Sequence, residues 1–179
     1  MVRKDRVFQI SDPNEWGSAP GSSAPMTPVL ALVGFVGLCL LVFATDSALA
    51  SAAFHGWYLS LTRPPGTPPR WVFGPIWAVL YISMGVAAWL VWQRAVTNRP
   101  LRLWGWQLAL NALWPTAFFA LHSQLFGLAV ILVLIPLLVL TIRSFAAVNR
   151  AAAWLVVPYL AWSGYALYLD AGFCLLNPG

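Results

Sequence analysis

Five apolar runs, at about 28–49, 75–92, 103–121, 125–142 and 152–169, are separated by short polar breaks. Each is 18 to 22 residues long, close to the about 20 apolar residues that a helix needs to cross a bilayer. The pattern predicts an all-α integral membrane protein, a five-transmembrane-helix bundle occupying residues 28–170. Pro75 is expected at the start of the second span, where its missing N–H costs nothing. Pro115 inside the third predicts a local kink, which lipid tolerates when neighbours satisfy the freed carbonyl. The fourth run, LFGLAVILVLIPLLVLTI, has no polar residue before Thr141 and is expected to have the largest lipid-facing share. Residues 1–27 are polar and rich in Ser, Pro and Gly, a disordered tail by composition, with Met26 as an alternative start. Residues 171–179 read as a short C-terminal tail.

Composition agrees with this plan. The chain is 60% hydrophobic and 8% charged, far from soluble domains, at roughly 45–50% and 25%. The net charge of +5 is spread over tail and loops rather than gathered on one face, so nucleic acid is not an expected partner. The basic residues instead read as topology signals. Arg3, Lys4, Arg6, Arg94, Arg99, Arg102, Arg143 and Arg150 fall on one side and only Arg63 and Arg70 on the other. The positive-inside rule then places the N-terminus in the cytoplasm and the C-terminus outside, for a bacterial inner membrane. Ala48-Leu49-Ala50 has the form of a signal-peptidase site, but the run is long and its basic residues distant, so the first helix is read as retained.

Chemistry-bearing residues are few. Asp46 and Asp170 are expected near span ends, and no charged residue in a span interior, which argues against an ion-coupled carrier. Cys39 and Cys174, the second placed after the last span, show neither paired nor metal-ligand spacing. His55 and His122 fall on the outer side with no motif around them; a haem ligand is conceivable, loop packing the plainer reading, and no metal site is expected. The third span carries two stripes. Gln107, Asn111, Trp114 and Phe118 share one side; Gly105, Ala109, Ala112, Thr116 and Ala120, offset by two residues or about 200°, share the other. Small residues at this spacing let backbones approach closely, against a helix of the same chain or a second copy. Gln107 and Asn111 suit an interhelical hydrogen bond, a cavity edge, or both. Trp77, Tyr81, Met84 and Ala88 share a face of the second span, and Pro158, Trp162, Tyr165 and Leu169 a face of the fifth.

Between the first two spans lies a loop crowded with Trp57, Tyr58, Pro64, Pro65, Pro68, Pro69, Trp71 and Phe73, too apolar to float free in water. Three stretches, WYLSLTRPPGTPPRWVFGPIWAVLYISMG (57–85), QLALNALWPTAFF (107–119) and PYLAWSGYALYL (158–169), carry a resemblance to the TspO/MBR family, the tryptophan-rich sensory proteins related to the mitochondrial translocator protein. The resemblance covers about residues 29–170. It implies a five-helix bundle, commonly a homodimer, here through Gly105, Ala109, Ala112 and Thr116, with a pocket closed by the first loop. It further implies binding of porphyrins, haem or another hydrophobic small molecule, with no obligatory cofactor, in tetrapyrrole sensing, transport or disposal under oxidative or light stress. The alternatives are a porphyrin or small-amphiphile transporter and a light-dependent porphyrin-degrading enzyme. By the same resemblance Tyr58 and Pro68 are lid residues, Trp77, Tyr81, Asn111, Trp114, Phe118 and Trp162 line the pocket, and Trp77 with Trp162 is the pair for photochemistry. Arg63 or Arg70 is expected to pair a ligand carboxylate. The family's cholesterol pattern is incomplete, because no Lys or Arg follows Arg150, so steroid handling is not expected.

Overall fold

A computed structural model describes residues 28–53 and 56–178. The expected tail 1–27, the alternative start at Met26, and His55 lie outside the described residues. The described chain is helical: α1 (Pro28–Ala53), a short α2 (Trp57–Ser60), α3 (Arg70–Trp92), α4 (Arg99–Pro115), a π-helical turn (Thr116–Ala120), α5 (Gln124–Ala146) and α6 (Arg150–Leu176). Four of the five long helices, α1, α3, α5 and α6, are long and apolar enough to cross a membrane. In sequence around the bundle, α1 packs on α3, α3 on α6, α6 on α5, α5 on α4, and α4 closes back on α1.

Local chemistry sets the boundaries, and several fall outside the expected ones. The helix after the proline loop begins at Arg70, with Pro69 as its N-cap, so Pro75 sits in its second turn and not at its start. The price is one free carbonyl, that of Trp71. Asn149 caps α6, its Oδ1 accepting from Ala151 N at 3.0 Å and Ala152 N at 3.3 Å, and Ser123 caps α5, accepting from Phe126 N. Instead of a tail from 171, α6 continues through AGFCLL to Leu176, its backbone hydrogen bonding unbroken up to Asn177 N–H on Phe173 O at 3.1 Å. Cys174 therefore lies within the last helix. Where a kink is expected at Pro115, the helix widens: Leu121 N–H reaches Thr116 O at 2.9 Å across a π turn, one of the usual responses to an interrupted ladder.

Lipid exposure also departs from the sequence reading. In its most apolar window only 11% of α1 is buried, against 33% for α5, so the first helix is the most peripheral. It touches chiefly α3 and closes only lightly on α4, whereas α5 packs firmly between α4 and α6. The core at the end bearing Arg94, Arg99, Arg143 and Arg150 is close-packed, with Met84, Ala87, Ala88, Val91, Ala152 and Val156 fully buried. There a Cβ on Gly85 would stand 2.7 Å from Val36 Cα, so α1 and α3 touch backbone to backbone.

Candidate functional site

At the opposite end the bundle is hollow. A cavity of about 500 Å³ opens between α1, α3, α4 and α6 beneath the segment 57–71. Seven of the eight ligand-facing residues named from the sequence line it: Tyr58, Trp77, Tyr81, Asn111, Trp114, Phe118 and Trp162. The two residues named for photochemistry are neighbours, the Trp77 and Trp162 rings lying 6.4 Å apart and near-perpendicular at 87°. Trp114 stacks on Phe118 at 5.5 Å and 21°, and the π turn brings Phe118 and Phe119 inward, both buried.

Pro68 is not on the cavity wall. It belongs to the extended lead into α3, and the part of the loop that closes on the bundle is 62–66. Tyr165 Oη donates to Gly66 O at 2.5 Å and Tyr168 Oη to Pro65 O at 2.9 Å. Asn177 Oδ1 accepts from Thr62 N at 2.7 Å, and its Nδ2 donates to Thr62 O at 3.0 Å. Pro64 sits against Gly172, where a Cβ would meet Pro64 Cγ at 2.6 Å; only glycine admits this approach. Gly66 itself has φ +82°, the left-handed turn that a glycine supplies without strain. The segment is thus fastened along the C-terminal part of α6: Tyr165 and Tyr168 lie in the expected fifth span, Gly172 and Asn177 in the stretch that the sequence reading assigns to a tail.

The wall also carries two carboxylates. Tyr81 Oη donates to Asp46 Oδ2, joining α1 to α3, and Trp114 Nε1 donates to Asp170 Oδ2 at 2.7 Å, joining α4 to α6. Asp170, six residues before the end of α6, is only 2% exposed, and Asp46 is half-buried. The sequence signal for both was present, since a lone Asp in an apolar helix marks a functional position; the helix ends drawn too short placed them at the rim. The helical wall thus holds a buried acid, Asp170, where the sequence reading expects none in a span interior. Arg70 is the cation on the wall, while Arg63 lies over the Tyr58 ring at 5.4 Å and is not among the cavity residues. Burial raises the Tyr58 pKa, with Arg63 and Arg70 acting against the rise and Asp170 adding to it, so its hydroxyl stays protonated at neutral pH.

The two neutral polar groups of α4 divide. Gln107 donates from Nε2 to Met84 Sδ at 3.6 Å, an interhelical contact away from the cavity. Asn111, 2% exposed, lines the cavity, and its Nδ2 has no hydrogen-bond partner among the described residues. His122 has φ 52° and packs its ring 4.8 Å from that of Trp57, a loop-packing position. Among the described residues no group of three or more His, Cys, Asp or Glu could hold a metal.

Fold and site together define an integral membrane helical protein with an aromatic-walled cavity beneath the segment between α1 and α3. The TspO/MBR family profile matches residues 35–176. Similar proteins include the tryptophan-rich protein TspO of Chlorobaculum tepidum, 38% identical over 84% of this chain and 98% of its own. The human translocator protein is 37% identical over 68% of this chain and 78% of its own. The tryptophan-rich sensory protein of Cereibacter sphaeroides is 36% identical over 68% and 77%. The chain belongs to the TspO/MBR family.

Proposed function

We propose that this protein is a membrane receptor for porphyrins and related tetrapyrroles, acting in their sensing, transport or disposal under oxidative or light stress. The cavity carries the reading. Its volume of about 500 Å³ lies in the roughly 300–1,000 Å³ range of small-molecule sites. Its wall offers the indoles of Trp77, Trp114 and Trp162 to a flat conjugated ring, each offset contact being worth about 0.5–1.5 kcal/mol beyond area burial. Arg70 supplies a cation to a propionate. Titrating protoporphyrin against intrinsic Trp fluorescence should give saturable quenching that Trp162→Phe weakens. Quenching that never saturates removes the reading.

The contact between Trp77 and Trp162 favours a second reading, light-dependent degradation of the bound porphyrin with these indoles as the reacting pair. Illuminated protoporphyrin should bleach to a new product spectrum on the wild type and not on the Trp77→Phe, Trp162→Phe double variant. Equal bleaching on both excludes an enzymatic role.

In the membrane, α4 and its π turn form the third of five spans, the arginine-rich end is cytoplasmic, and the cavity mouth opens outside. The small-residue face of α4 meets a second copy: Ala109 is exposed and a Cβ on Gly105 would meet nothing within 4 Å. Disulfide cross-linking of an Ala109→Cys variant in native membranes should trap a dimer; monomer alone would exclude this interface.

A further inference from the structure

The indoles and Arg70 suit a flat acid, but they leave the most buried polar groups of the wall unused. Asp170 accepts one hydrogen bond, from Trp114 Nε1 to its Oδ2. Among the described residues nothing bonds its Oδ1, and no Lys, Arg or His is paired with it. A carboxylate 2% exposed and without a counter-charge is costly, because an ion taken out of water needs a partner. Around it stand aromatic rings. Trp114 is its hydrogen-bond donor, Phe118 stacks on Trp114, and Tyr58 and Phe173 lie with ring centroids 5.7 Å apart. All four line the same cavity. Asn111, whose buried Nδ2 has no partner, is a further polar group on that wall.

Aromatic faces around an anion are the arrangement that holds an ammonium, since ring quadrupole and carboxylate both attract the cation. Two carboxylates, Asp46 and Asp170, and one exposed cation, Arg70, line the wall, and Arg63 covers one face of Tyr58 from outside it. We infer that the Asp170 end of the cavity is a subsite for protonated hydrophobic amines. An aryl-alkyl ammonium places its N–H on Asp170 Oδ1 and its alkyl groups against Trp114, Phe118 and Phe173. This ligand class is separate from the tetrapyrroles and does not depend on that reading.

The test uses the full chain in detergent at neutral pH with two probes of one shape, N,N-dimethyl-1-naphthylmethylamine and its uncharged carbon isostere 1-isobutylnaphthalene. Calorimetric affinities are corrected for each probe's partition into protein-free micelles. The amine should bind about tenfold more tightly, the size expected of a charge-assisted hydrogen bond with cation–π support. The preference should vanish in an Asp170→Asn variant whose helical circular dichroism matches wild type. Equal affinities on the wild type overturn the inference, and that comparison needs no variant to fold. A preference that survives in folded Asp170→Asn overturns the assignment to Asp170. Protoporphyrin titrated in parallel keeps the two readings apart: loss of saturable porphyrin quenching with the amine preference intact sinks the tetrapyrrole reading alone, and the converse sinks this one.

Discussion

The two ends of the bundle solve the packing problem in opposite ways. At the arginine-rich end, small side chains bring backbones together: Ala87, Ala88 and Ala152 are fully buried, and Gly85 lets α3 touch Val36 of α1. In lipid, where apolar surface has no water to escape, such close van der Waals packing is a principal source of helix association. At the lid end large rings hold the helices apart around a cavity, and polar contacts take over: Tyr81 to Asp46, Trp114 to Asp170, and the Tyr165, Tyr168 and Asn177 bonds to the lid. Close packing is all-or-none, whereas hydrogen bonds at a membrane surface can exchange with water one at a time. The closed end therefore sets global stability and the hollow end sets access.

Changes that break this division should differ in both size and readout. The largest effect is expected from Gly85→Val. Its Cβ would stand 2.7 Å from Val36 Cα, 3.0 Å from Val36 N and 3.1 Å from Phe35 O, all backbone atoms that cannot rotate away. Overpacking of this kind costs about 1–3 kcal/mol, and more where no side chain can yield. Unfolding of the detergent-solubilised protein by denaturing detergent should show a loss of about 3 kcal/mol, and wild-type stability would refute the division. Gly172→Ala comes next. Its Cβ would meet Pro64 Cγ at 2.6 Å, displacing the lid, while the gain in helix propensity, up to about 1 kcal/mol, offsets part of the strain on α6. Ligand should dissociate several-fold faster with the melting temperature nearly unchanged. A large fall in melting temperature would place the lid within the stabilising core.

How much of this was legible in the sequence depends on which force set each feature. Helix number and order follow from runs of apolar residues, and the inward stripe of α4 follows from its period; Asn111, Trp114 and Phe118 face the cavity as that period requires. The ends of helices did not follow from hydropathy. Arg70 to Phe73 and Gly172 to Leu176 are helical because backbone hydrogen bonding continues wherever the chain allows it, and hydropathy does not report this. Shortening α6 hid both the burial of Asp170 and the fastening of the lid. Pro68 and Pro64 are equivalent by composition. Only the Gly172 notch, 108 residues from Pro64, decides which of them docks, and no local pattern encodes such a distant contact. The π turn after Pro115 likewise needs the carbonyl partners of the folded chain to specify it.

The smallest expected effect comes from Asn177→Ala, and it sharpens the comparison most finely. Asn177 uses its amide on both sides of Thr62, accepting from N at 2.7 Å and donating to O at 3.0 Å, and it also donates to Phe173 O at 3.0 Å. These groups are at the exposed rim, so water can replace each bond, and a net change of about 0.5–1.5 kcal/mol per bond is the upper range. The loss falls on lid opening, because Asn177 meets the core only at the backbone carbonyl of Phe173, which its own backbone N–H also bonds at 3.1 Å. Hydrogen exchange should therefore quicken several-fold at Thr62 and Thr67 while amides of α3 around Met84 and Ala88 keep their protection. Tyr165 and Tyr168 still hold Gly66 and Pro65, so the lid stays on average closed. Faster exchange at Met84 as well would mean that lid and core open together and that the two ends are one cooperative unit.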